Sequence, residues 1–151
     1  MKLKTAFRVS VSLGLVLLSG AVAAGPVGLW YTEEDDAQVE IAPCGDQLCG
    51  HIVWLEDPLN DEGEPLIDRL NPDESLQDRP IVGLRIVWDM EPKGNGKVWE
   101  NGRVYDPESG KTYQARITLK GKDRLDLRGF VGTPMFGRTS TWTRADEPRA
   151  K

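Results

Sequence analysis

The chain has 151 residues, with 19 basic against 24 acidic side chains and a formal net charge of −5. That length builds one domain around a single core, and an acidic chain whose lysines and arginines are scattered offers no footprint for nucleic acid or an anionic membrane surface. Beyond the N-terminus, no segment is apolar for the ~20 residues that a bilayer span requires.

Residues 1–24 read as a cleavable export signal. Lys2, Lys4 and Arg8 form a basic start, and Val9 to Leu18 is an apolar run too short to span a bilayer. Ala21-Val22-Ala23 is a small-residue cleavage site, with cleavage after Ala24 the close alternative. No cysteine follows to take a lipid anchor, so the expected destination is the periplasm of a Gram-negative host or the medium. Loss of the three basic residues from the 19 leaves 16 against 24 acidic ones, or about −8. Residues 25–145 then form the folded domain, and residues 146–151 a polar tail expected to fray.

Short β-type runs broken by turn formers follow, with no helical periodicity over three turns. The first strand is expected over Val27–Thr32, and the next two over Gln38–Pro43 and Leu48–Leu55, joined at Gly45-Asp46-Gln47. Cys44 and Cys49 stand at the neck of that hairpin. In an oxidising compartment they read as one disulfide, worth about 2 kcal/mol for so short a loop; redox and metal roles are the alternatives, although the spacing suits neither. His51, the single histidine, has no nucleophile signature near it and reads as a packing or surface residue.

Residues 56–80 break the rhythm. Nine of them are acidic. Asp57, Asn60, Asp61, Glu62 and Glu64 are dense oxygen donors, but Leu59 stands where a calcium loop of the EF-hand type needs a ligand. Asn71-Pro72-Asp73-Glu74 predicts one or two helical turns, with Asn71 as N-cap and Pro72 in the first position. Leu66, Ile67, Leu70 and Leu76 give the loop apolar side chains to dock. A connection of this length in a compact domain is commonly a lid or a binding loop.

Ile81–Trp88 predicts a strand with Val82, Leu84, Ile86 and Trp88 on one face. Lys97–Glu100 and Arg103–Asp106 predict a tight hairpin about Asn101-Gly102. Thr112–Leu119 alternates, with Tyr113, Ala115, Ile117 and Leu119 inward. Before it, Gly110-Lys111-Thr112 lacks the earlier glycine of a phosphate loop, since Tyr105 occupies that place. Arg124–Phe130 and Arg138–Arg144 complete eight or nine strands, the pattern of an antiparallel barrel or sandwich.

In order along the chain, Gly28-Leu29-Trp30, Cys44 to Gly50 with Ile52-Val53-Trp54-Leu55, Asp68 with Asn71-Pro72-Asp73, and Pro80 with Gly83-Leu84 form one series of motifs. Trp99 with Tyr105-Asp106-Pro107, Gly110-Lys111-Thr112-Tyr113, Arg128-Gly129-Phe130-Val131-Gly132 and Gly137-Arg138 through Trp142-Thr143-Arg144 continue it. With these the chain resembles the DUF2147 family of exported bacterial proteins; it departs from the pattern at His51, where a basic residue is expected. The resemblance implies an up-and-down, lipocalin-like β-barrel. It also implies that Trp30 and Arg144 meet as a cation–π pair closing one end, a contact worth about 0.5–2 kcal/mol.

Such barrels commonly carry small, often apolar molecules. The candidate ligand-binding residues are Trp54, Leu84, Ile86, Trp88, Tyr113 and Ile117; the alternative is that these side chains and Trp99 simply fill the barrel. The leading expectation is an exported, non-catalytic protein binding a small apolar or amphipathic molecule without cofactor or metal. An envelope protein-interaction module with a filled barrel is the second reading. A carboxylate-dependent hydrolase using Asp68 and Asn71 is the third. If Trp30 and Arg144 seal one end, function belongs at the other, under the acidic loop.

Overall fold

Short alternating runs separated by tight turns pair most readily with their neighbours in sequence, and here that pairing runs full circle. A computed structural model describes residues 25–150; the expected export signal at 1–24 lies outside the described residues. The strands are β1 (Gly28–Tyr31), β2 (Ala37–Cys44), β3 (Gln47–Leu55), β4 (Arg85–Lys93), β5 (Val98–Asp106), β6 (Lys111–Leu119), β7 (Arg124–Phe130) and β8 (Gly137–Ala145). Each pairs antiparallel with the next, and β8 returns to β1, giving a closed eight-stranded up-and-down barrel. Closure leaves no sheet edge to be covered. Cys44 and Cys49 are joined in a disulfide across the β2–β3 hairpin, with Cα atoms 5.7 Å apart.

Four local expectations are corrected. Asn101-Gly102 is not a hairpin turn: β5 runs straight through it, and the β4–β5 turn lies at residues 94–97 instead. At Asn101 the backbone enters the left-handed region (φ 62°). The register against β6 slips there by one residue, so Trp99 and Gly102 both turn inward. This is a β-bulge, a use of Asn-Gly that a local turn signal cannot distinguish from a hairpin. The Asn101 side chain donates 2.8 Å to Glu91 on β4.

The second correction concerns β4, which begins at Arg85 rather than Ile81 and continues to Lys93. Against β3 its register slips between Gly50 and His51, so that Ile86 and Val87 are both buried. Val87 stands opposite Val104, an inward residue. Alternation then carries Trp88, with Arg103 opposite it, to the outer face. The period-two row ending in Trp88 is therefore broken.

Third, the helical turn is a 3-10 helix at Glu74–Leu76 capped by Asp73, which accepts from the Ser75 amide. The Ser75 hydrogen bonds hold the Asp73 carboxyl below its ordinary range. Asn71 is not the cap because it is buried and committed elsewhere. Fourth, the described part of the tail is docked rather than frayed. Gln38, fully buried, donates to the Glu147 carbonyl and accepts from the Arg149 amide. The Arg149 guanidinium lies 4.8 Å from the ring centres of both Tyr31 and Trp54.

Candidate functional site

Two ends of the barrel are built differently. At one end the interior is solid: Trp30, Ile41, Met90, Trp99, Ile117 and Leu125 are buried in one apolar cluster. The seam between β1 and β8 places Trp30 directly opposite Arg144, and the guanidinium lies 4.1 Å from the indole centre. Arg144 also donates to the carbonyls of Gly25, Val27 and Lys122, while the indole N–H donates to the Pro26 carbonyl at 2.7 Å. One side chain thus ties the N-terminal segment and the β6–β7 turn across the barrel end. Gly28 makes room for it: its φ is +131°, and a Cβ there would stand 2.7 Å from an Arg144 nitrogen.

The other end is hollow. A cavity of about 730 Å³ opens between the β1–β2, β3–β4, β5–β6 and β7–β8 connections, within the usual range for small-molecule sites. Its walls are Ile52, Leu55, Ile81, Ile86, Val104, Tyr113, Leu127, Phe130 and Trp142. Leu66 and Ile67 from the long connection reach over it, and Val131 and Phe136 from the β7–β8 turn flank the mouth. Both of the latter, with Met135, are largely exposed to solvent. Glu33, Glu34, Asp36, Asp106, Glu108 and Arg138 supply the charge at the rim.

The connection from β3 to β4 is held over this end by one buried carboxylate. Asp68 is fully buried. Its Oδ1 accepts from the Tyr105 hydroxyl at 2.5 Å, and its Oδ2 accepts from Asn71 at 2.8 Å and Arg79 at 2.9 Å. The Asp68 amide donates to the Arg79 carbonyl at 2.8 Å. Burial, and then the hydrogen bond to Asp68, push the Tyr105 hydroxyl up to about 12. Tyr105 belongs both to this cluster and to the cavity wall, so the lid is fastened to the barrel at the cavity itself. The connection also approaches the barrel closely at Gly110 (φ +68°), where the Leu70 carbonyl occupies the space a Cβ would need.

Of the six candidate ligand-binding residues, Ile86 and Tyr113 line the cavity. Ile117 and Leu84 are buried in the apolar cluster and do not line the cavity. Trp88 is on the outer face beneath Arg85, whose guanidinium lies 5.7 Å from its ring. Trp54 packs under Arg149 at the docked tail. His51 lies on β3 opposite Glu40 and Arg85 and does not border the cavity. In the acidic loop the Asn60 carboxamide accepts from the amides of Glu62 and Glu64 and so closes its own turn. Asp68 and Asn71, considered for hydrolysis, spend their side chains on each other, on Arg79, on Tyr105 and on the Asp73 amide.

Sequence reasoning missed Ile52, Leu55, Ile81, Val104, Tyr105, Leu127, Phe130 and Trp142 as wall residues. Alternation along β8 and β7 gives Trp142 and Leu127 an inward direction, but only the depth of the filled end decides which inward residues meet open space. The partnership of Tyr105 with Asp68 spans 37 positions, and nothing local signals it.

The sequence model of a family described as uncharacterized protein conserved in bacteria, DUF2147, matches residues 28–144. A solved structure similar to the chain is that of the protein HP1028 from Helicobacter pylori, described as belonging to the lipocalin family. The two superpose with a TM-score of 0.69 at 22% identity, over 80% of this chain and 83% of that one. At that identity the likeness shows a shared fold. No curated protein matches the chain in sequence.

Proposed function

The chain belongs to the DUF2147 family, and from that premise we propose that it is an exported, non-catalytic carrier that holds a small apolar or amphipathic molecule in its barrel. The observation that carries this reading is the asymmetry of the interior. One end is packed solid behind Trp30 and Arg144, and the other holds an apolar-walled cavity of about 730 Å³ with a lid fastened across it. A barrel of eight strands is just wide enough to fill with side chains or to hold one small ligand; here one depth is filled and the other is open. The Cys44–Cys49 disulfide supports an oxidising destination outside the cytoplasm.

The test is titration with a neutral fluorescent apolar probe, N-phenyl-1-naphthylamine, together with native mass spectrometry of protein purified from its own compartment. Saturable one-to-one binding that is lost when Ile86 and Leu127 are both replaced by Trp supports the reading. Absence of probe binding by the folded wild-type protein overturns it. A second reading, docking to an envelope partner, is favoured by the exposed Val131, Met135 and Phe136 beside the mouth. Capture of a partner that is lost on replacing Met135 and Phe136 by Ser, without loss of probe binding, would select it.

A further inference from the structure

The cavity wall is apolar, but its rim is not neutral. Among the described residues, five carboxylates border the mouth, from Glu33, Glu34, Asp36, Asp106 and Glu108, against one cation, Arg138. That cation is engaged, since its guanidinium lies 3.3 Å from the Glu33 carboxylate. Asp36 accepts from the Thr32 hydroxyl, and Asp106 from the Ser109 hydroxyl and the Glu108 amide. Glu34 and Glu108 are exposed, and among the described residues neither carboxylate has an ion-pair partner. An apolar-walled cleft with one sign of charge at its entrance focuses the field on whatever enters.

We infer that the preferred ligand is a cationic amphiphile, its hydrocarbon part in the cavity among Ile86, Val104, Leu127 and Trp142 and its ammonium or amine head at the acidic rim, within the field of the carboxylates spread around it. This rests on the carrier function proposed above and adds the chemistry of the ligand to it. The geometry suits such a molecule on two counts. The sealed end admits no polar group, so a head group stays at the mouth. A carboxylate or sulfate head placed there would face five carboxylates offset by one arginine, whereas a cation is attracted by that net negative set. Opposite charges a few ångströms apart at a water-exposed rim change affinity by factors of several each, so the head-group sign decides about tenfold overall at low ionic strength.

The experiment displaces N-phenyl-1-naphthylamine with three ten-carbon probes below their aggregation limits: decyltrimethylammonium, 1-decanol and decanoate. The expected order is the cation tightest and decanoate weakest, with the cation at least about tenfold ahead of decanoate in 20 mM salt. That gap shrinks several-fold in 0.5 M salt and again in the Glu34→Gln/Glu108→Gln double variant, whose substitutions are on the surface. Equal affinity for all three heads, or preference for decanoate, overturns the inference and leaves the carrier function standing. Failure of every probe to bind the folded protein overturns both.

Discussion

Replacing Asp68 by Ala tests whether the lid and the barrel are one cooperative structure. The carboxylate is fully buried and takes three side-chain hydrogen bonds, at 2.5, 2.8 and 2.9 Å. Without it, the Tyr105 hydroxyl and the Asn71 amide are left as buried donors without that acceptor, at about 1–3 kcal/mol each. Arg79 loses less, because its side chain is 42% exposed and can turn to water. The expected loss is about 4 kcal/mol, in line with breaking a buried charge pair from one side. At ~2.1 cal/mol/K per residue, a domain of this size loses about 15 °C in Tm for that change. Thermal and urea unfolding followed by tryptophan fluorescence give the number, with Arg79→Ala, which leaves Asp68 its two buried donors Tyr105 and Asn71, as the reference expected to cost less. Tyr105→Phe combined with Asp68→Ala should show a coupling of about 1.5 kcal/mol in a double-mutant cycle. Were Asp68→Ala to cost no more than Arg79→Ala, or the coupling to vanish, the buried cluster would not be the fastening described.

The remaining predictions concern the two ends of the barrel. Arg144→Met keeps the apolar stem but removes the cation over Trp30 and the donors to Gly25, Val27 and Lys122; it should cost about 2–3 kcal/mol in urea unfolding, with probe affinity at the far end unchanged. Gly110→Ala forces a side chain into a left-handed turn and against the Leu70 carbonyl; a loss of at least about 1 kcal/mol, with faster proteolysis within residues 56–80, is the expected outcome. Tyr105 ionises at about 12 in the folded protein against about 10 when unfolded. Because the folded pKa is the higher, the unfolded chain releases its proton first, and the stability tied to this group is complete below pH 10 and lost as pH rises toward 12. The full window is worth roughly 2–3 kcal/mol, and it should be absent from the pH profile of Tyr105→Phe measured beside the wild type.

The sequence was most legible where the physics is local. Tyr113, Ala115 and Ile117 alternate inward along β6 as their spacing predicts, because side-chain direction in a strand follows position alone. The Cys44–Cys49 bridge follows from two cysteines at a hairpin neck. It was least legible where one extra residue shifts the count. The bulges at Asn101 and at Ile86–Val87 reverse the faces that follow them, so Trp88 left the predicted row while Val87 entered the core. Asn101-Gly102 carries the residues of a hairpin turn, yet pairing with β4 on one side and β6 on the other outweighs the turn preference.

Strand count and antiparallel order, together with the resemblance carried by the motifs from Gly28 to Arg144, were enough for the lipocalin-like barrel and for the meeting of Trp30 with Arg144. Strand count and order depend on periodicity and turn chemistry, which are written along the chain; the closure that brings Trp30 to Arg144 is what the resemblance implied. Which depth of the barrel is filled and which is open, the fastening of Asp68 to Tyr105, and the collection of five carboxylates at one rim were decided only by the tertiary structure. They depend on side chains from separate strands and turns sharing one end of a closed cylinder, and that proximity exists only after β8 has paired with β1.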